Sequence, residues 1–139
     1  MVKCLEEEGV TRIFGYPGVA ISPFYEALYN AGTIEYVLVR QEQAAGHAAS
    51  GYARISRKAA VCVTSSGPGA TNLITALATA YADSIPLIAI TGQVNSNLLG
   101  RDVFQEADMR GSTESFVKYS YLVKSADDIP RIFKEAFYI

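Results

Sequence analysis

The chain has 139 residues, half of them apolar and 19% charged, with a formal net charge of −2. That length suits one domain that buries roughly two-thirds of the surface its unfolded form would expose, so a core can form without disulfide or metal staples. The apolar fraction excludes intrinsic disorder, and the charge balance excludes a polyanion-binding surface and with it nucleic acid as a partner. No run approaches the ~20 apolar residues of a membrane span, and the N-terminus lacks a secretory-signal pattern, so a soluble, cytoplasmic protein with no membrane partner is expected.

In chain order, Val2 to Glu8 reads as a helix and Arg12 to Tyr16 as a strand. Ser22 to Asn30 is helical with Pro23 in its first turn, and Ile34 to Val39 is a strand. Glu42 to Ile55 (helix), Ala59 to Ser65 (strand), Ala70 to Ala82 (helix) and Pro86 to Thr91 (strand) continue the alternation. After a looser stretch, Tyr119 to Val123 is a fifth strand candidate, and Asp127 to Tyr138 a last helix with Asp127 as N-cap and Pro130 in its first turn. Cys4 and Cys62 belong to no ligand or redox spacing and are expected to be reduced, buried and small-hydrophobic in role.

Strands such as Ala59-Ala60-Val61-Cys62-Val63 are continuous apolar runs, as a parallel sheet with helices on both faces requires. The fold class is therefore α/β, doubly wound and mostly parallel, spanning residues 1–139 as one domain. Ligands in such sheets bind beyond the carboxyl ends of the strands. Four unusual segments fall there: Gly15 to Ala20, Arg40 to Gln43, Ser65 to Asn72 and Thr91 to Asn95. The last helix runs to Ile139 where a βα series would send another strand back into the sheet, so a fragment of a longer subunit is expected.

Glu42 falls where a strand becomes a helix. A carboxylate there has an ordinary role against the helix dipole, but Arg40-Gln41-Glu42-Gln43 on a ligand-facing rim, followed by the small Ala44, Ala45 and Gly46, also fits a binding role. The Ser65 to Asn72 turn is glycine-rich, yet lacks phosphate-loop spacing; it is either an anion site or a tight turn that permits close helix packing. Pro17-Gly18 carries the same ambiguity. His47, the one histidine, reads as a hydrogen-bonded packing residue, with a proton-carrier role the less expected alternative. No metal site is expected, and Asp102, Glu106 and Asp108 read as a solvated acidic loop.

Taken together, Phe14 to Gly18, Glu42-Gln43, Gly51 to Arg54, Ser66 to Asn72, Asp83 to Pro86, Thr91 to Val94, Phe104 to Asp108 and Ile129 to Phe137 resemble, in order, the pyrimidine-binding N-terminal domain of thiamine-diphosphate enzymes. The likeness is strongest to the catalytic subunit of acetolactate (acetohydroxyacid) synthase. The resemblance implies a transferase of branched-chain amino-acid biosynthesis that decarboxylates pyruvate and passes the two-carbon unit to a second 2-keto acid. It implies that Glu42 is the catalytic residue, hydrogen-bonded to a pyrimidine nitrogen of the cofactor and promoting the tautomer that deprotonates the thiazolium carbon.

By the same resemblance, Tyr16, Pro17, Gly18, Val19, Glu42, Gly67, Pro68, Gly69 and Asn72 contact the cofactor, while Phe104 and Gln105 line the substrate channel. Gln41 stands where the family often has histidine, Val19 where it has a small residue, and Asn95 where it often has proline. Nothing in the chain resembles the family's Gly-Asp-Gly to Asn segment that holds magnesium and the diphosphate, nor the middle domain that carries FAD. Those groups are expected on other domains. The family's site forms between subunits, which implies a homodimer or tetramer through the rim, the diphosphate-binding domain of a second subunit as partner, and a regulatory small subunit as a further one. The isolated domain is expected to be inactive and prone to self-association. The alternatives are another thiamine-diphosphate decarboxylase or lyase, of the sulfoacetaldehyde or oxalyl-CoA type, a non-catalytic stand-alone domain of the same fold, and a flavodoxin-like nucleotide binder.

Overall fold

Four apolar segments pair into one parallel sheet in the computed structural model, which describes residues 1–98, 100–101, 103–104 and 106–139. The strands are β1 (Arg12–Gly15), β2 (Glu35–Leu38), β3 (Ala60–Thr64) and β4 (Leu87–Thr91), in the order β2-β1-β3-β4. Register places Ile13 of β1 beside Tyr36 and Val61, and Cys62 of β3 beside Phe14 and Ala89. Helix α1 (Val2–Glu7) precedes β1, and α2 (Ser22–Ala31) carries the chain from β1 to β2. Helix α3 (Glu42–Ser56) leads back to β3, α4 (Pro68–Thr71) and α5 (Ile74–Ala82) lead on to β4, and α6 (Met109–Thr113) and α7 (Ile129–Tyr138) follow.

Strand side chains alternate between faces, so two cores form. Ile13, Val61 and Val63 pack with Leu5 of α1, Phe24 and Leu28 of α2 and Phe133 of α7. Phe14, Ala60 and Cys62 pack on the other face with Ala45, Ala49 and Ala53 of α3 and with Leu73 and Leu77. The central β3 is buried along its whole length, which is why it reads as an unbroken apolar run. Each of its valines contributes about 1.5–3 kcal/mol by leaving water.

Helices α3 and α5 approach closely because their contact is made of small residues. A side chain on Gly46 would overlap Ala76 of α5 and come within 3.3 Å of Leu73. Arg54 and Asp83 close the far end of this pair with a half-exposed ion pair of 2.5 Å. This packing fixes the axis of α3, and hence where its first residue, Glu42, stands.

Several expectations need correction. Tyr119–Val123 is not a strand: among the described residues no backbone pairing reaches it, and β4 pairs only with β3. The helix expected over 70–82 is two helices, interrupted at Asn72 and Leu73, where Leu73 N–H bonds back to Ala70 O and the next turn restarts from Leu73 O. At the last helix Ser125 is the capping side chain: its hydroxyl accepts from Asp127 N–H, and a short 3-10 turn over Ala126–Asp128 precedes α7. Cys62 is buried as expected, but Cys4 is only half-buried; both thiols are free. Burial pushes the Cys62 thiol up to about 12. Among the described residues no helix is long and apolar enough to cross a membrane.

Candidate functional site

All four strands point the same way, so their carboxyl ends share one rim. In an open parallel sheet the cleft on that rim lies where neighbouring strands send their connections to opposite faces. Here this is between β1 and β3. The chain leaves β1 for α2 on one face and leaves β3 for α5 on the other.

Two tyrosines brace this point. Tyr25 Oη donates to Val63 O at 2.8 Å and Tyr36 Oη to Gly15 O at 3.1 Å, with their rings 5.0 Å apart. Burial raises the pKa of both phenols, so both remain proton donors. Tyr16 N–H also donates to Val63 O, at 3.2 Å. The ends of β1 and β3 are thereby stitched together, which sets the loops above them.

In the first loop Gly18 is extended, so its backbone conformation is open to any residue. What demands glycine is proximity: a Cβ there would lie 2.5 Å from Ser65 Oγ on the opposing loop. Val19 begins a 3-10 turn over Val19–Ile21 and is 88% exposed. In the second loop Gly67 has φ 55° and ψ −121°, a combination that side chains strongly disfavour. That twist starts α4, with Gly69 N–H donating to Ser66 O at 3.2 Å and the Thr71 hydroxyl to Pro68 O at 3.1 Å. Ser66 Oγ at the base of this turn is buried and, among the described residues, has no hydrogen-bond partner.

Glu42 is the first residue of α3, following the extended Gln41, so its carboxylate stands at the positive end of the helix dipole. It is half-buried and, among the described residues, enters no ion pair. Asn72 Nδ2 donates to one carboxylate oxygen, Oε2, at 2.9 Å. The other, Oε1, faces Gly69, where a Cβ would come within 3.2 Å. A carboxyl group with one oxygen tethered and the other beside a glycine can exchange a proton with a ligand that approaches over that glycine.

The structure thus brings Tyr16, Pro17, Gly18, Gly67, Pro68, Gly69, Asn72 and Glu42 onto one rim. Val19 borders it from the exposed end of the first loop. Phe104 is 87% exposed on the segment between β4 and α6, and no hydrogen bond or ring contact among the described residues ties it to Glu42. Gln105 and Asp102 lie outside the described residues.

Other roles shift. The small residues after Glu42 do not clear space around its carboxylate: Ala45 and Gly46 are buried against the sheet and α5, and the clearance comes from Gly69. His47 is exposed rather than packed. Of the acidic loop, Glu106 accepts from Gly100 N–H and Val103 N–H, while Asp108 caps α6 by accepting from Gly111 N–H. Among the described residues no cluster of His, Cys, Asp and Glu could hold a metal ion. Sequence reasoning did not single out Ser65, Tyr25 or Tyr36; for the tyrosines the available signal was a phenol on an otherwise apolar helix or strand face.

The family model described as "Thiamine pyrophosphate enzyme, N-terminal TPP binding domain" matches residues 1–112. Over all 139 residues the chain is 55% identical to acetolactate synthase of Mycobacterium bovis, covering 22% of that protein. It is likewise 53% identical to the acetolactate synthase large subunit of Haemophilus influenzae, covering 24%, and 54% identical to the probable acetolactate synthase large subunit of Methanocaldococcus jannaschii, covering 23%. The chain therefore spans a little under a quarter of the length of these curated relatives.

Proposed function

The chain belongs to the family of thiamine pyrophosphate enzyme N-terminal TPP-binding domains, and from that premise we propose that it is the pyrimidine-binding domain of an acetolactate-synthase-type carboligase. The observation that carries this reading is the Glu42 carboxyl group on the cleft between β1 and β3, with one oxygen held by Asn72 and the other beside Gly69. Two features fit an aminopyrimidine at that place. The missing side chain at Gly69 lets the turn pack closely against Oε1, where a Cβ would come within 3.2 Å, and so keeps this oxygen at the edge of the turn. The buried, unpartnered Ser66 hydroxyl adds hydrogen-bonding capacity at the base of the same turn.

Thiamine diphosphate, when bound, supplies a thiazolium carbon that becomes a nucleophile toward the keto group of pyruvate. What this chain contributes is the handling of one proton. Glu42 holds it on a carboxyl oxygen within reach of a pyrimidine nitrogen. The start of α3 and the Asn72 amide hold this carboxyl group in place at the rim. Tyr16, Pro17 and Gly18 on one side, and Gly67, Pro68 and Gly69 on the other, form walls that exclude water from the pyrimidine half. Glu42 is half-buried in this chain, and in this proposal a second subunit closes the site.

In this proposal the complete enzyme is cytoplasmic and assembles as a homodimer or tetramer through the rim, against a diphosphate-binding domain, with a regulatory small subunit as an additional partner. Magnesium and FAD belong to the other domains, and Phe104 and Gln105 border the substrate channel. The test is an assay of the complete enzyme with pyruvate, with and without 2-ketobutyrate, in the presence of thiamine diphosphate and magnesium. Acetolactate from pyruvate alone, and acetohydroxybutyrate with both acids, are expected. Decarboxylation without carboligation, or turnover only of sulfoacetaldehyde or oxalyl-CoA, would overturn the assignment to this reaction.

A further inference from the structure

We infer that Asn72 is a positioning residue for Glu42: its side-chain amide fixes the carboxyl group by one oxygen so that the other is presented over Gly69. The inference rests on the proposed proton-exchange role of Glu42 and adds to it the group that orients the carboxyl. The primary observation is the 2.9 Å hydrogen bond from Asn72 Nδ2, in the break between α4 and α5, to Glu42 Oε2 at the start of α3, 30 residues away in sequence. An amide donor to a carboxylate is charge-assisted, stronger and more directional than a neutral pair.

A second observation is the interruption between α4 and α5. The apolar pattern from residue 70 to 82 would support one continuous helix, yet it breaks at Asn72 and Leu73. At the break Leu73 is buried against α3, while Asn72 stays at the surface, where its amide reaches Glu42. Both residues keep right-handed backbone angles, so their side chains leave the chain about 100° apart, Leu73 toward the core and Asn72 toward the carboxyl group.

The third is the asymmetry of the two oxygens. A carboxyl on a flexible side chain would rotate and offer either oxygen, losing part of the effective concentration that a fixed geometry provides. Here one oxygen is taken by Asn72, while the other lies against Gly69, where a Cβ would crowd it at 3.2 Å. Among the described residues Asn72 is the only hydrogen-bond partner of the Glu42 side chain, so nothing else sets this orientation.

The test has two arms. In the 139-residue chain, the Asn72 side-chain amide is assigned in nitrogen–proton NMR as the pair lost in Asn72→Leu. Its resonance is expected to move in Glu42→Gln, where a neutral amide replaces the charged acceptor of its hydrogen bond. A resonance unchanged by Glu42→Gln would overturn the inference. In the complete enzyme, Asn72→Leu is expected to slow deuterium exchange at the thiazolium carbon about tenfold, the scale of losing one hydrogen bond to a charged group at a half-exposed site. Thiamine diphosphate affinity should fall less than about threefold, since Asn72 acts through Glu42, and Asn72→Gln should restore part of the exchange rate. Weakened cofactor binding with unchanged exchange would make Asn72 a cofactor contact and reject the positioning role. If Glu42→Gln itself left exchange unaltered, the proposed role of Glu42 would fail. Exchange silenced by Glu42→Gln but untouched by Asn72→Leu would reject only the present inference.

Discussion

Gly46→Ala tests whether the placement of Glu42 depends on the close contact of α3 with α5. Gly46 is buried in the middle of α3, and the added methyl would overlap Ala76 Cβ and lie 3.3 Å from Leu73 Cδ2. Neither neighbour can swing aside, because Ala76 offers only its Cβ and Leu73 is fully buried. Overpacking of this kind costs about 1–3 kcal/mol. Alanine recovers about 0.5–1 kcal/mol of helix propensity over glycine, so a net loss of about 1–2 kcal/mol is expected. For a chain of this size that corresponds to a fall of about 3–7 °C in Tm.

Urea unfolding followed by circular dichroism measures the loss directly, with the slope against denaturant checking that only stability has changed. Ala76→Gly removes the methyl that Gly46→Ala would strike, so the double variant should be more stable than the sum of the two single changes implies, by about 1 kcal/mol. A Gly46→Ala protein as stable as the parent, or additive behaviour of the pair, would refute a tight α3–α5 contact.

Three further outcomes follow from the buried groups. The Cys62 thiol, raised by burial to about 12 from its ordinary value near 9, contributes stability that is whole below about pH 9 and is lost as pH rises toward 12; stability of Cys62→Ala should decline less steeply over that window. With a thiol reagent at neutral pH, Cys4 should react in the folded chain and Cys62 only on unfolding, as its complete burial requires; equal rates would contradict this. Tyr25→Phe deletes the bond to Val63 O and should cost about 1 kcal/mol in the same urea assay, whereas a neutral result would mean that the phenol does not brace the ends of β1 and β3.

The sheet was legible in the sequence because burial on both faces leaves continuous apolar runs such as Ala60–Thr64, and glycine and proline marked the turns between them. Glu42 was legible as the residue where strand gives way to helix. What failed is instructive in physical terms. Tyr119–Val123 has the composition of a strand, but composition supplies no partner, and a strand exists only in a ladder. The break at Asn72 was hidden because the apolar pattern continues through it, and the Nδ2 to Oε2 bond that accompanies the break spans 30 residues. The small residues after Glu42 were assigned to its carboxylate through nearness in sequence. In three dimensions Gly46 serves helix packing, and Gly69, on another loop, clears the carboxylate. Asp127 was expected as the cap of the last helix, but a 3-10 turn over Ala126–Asp128, which has no sequence signature of its own, makes Ser125 the capping side chain.

The most direct measurement is deuterium exchange at the thiazolium carbon of thiamine diphosphate bound to the complete enzyme, comparing the parent with Glu42→Gln. Glutamine preserves the shape of the side chain and its bond with Asn72 but cannot give or take a proton, so exchange should fall by about 100-fold or more while the cofactor stays bound. Exchange within about twofold of the parent rate, with normal cofactor binding, would show that the proton moves without this carboxyl group.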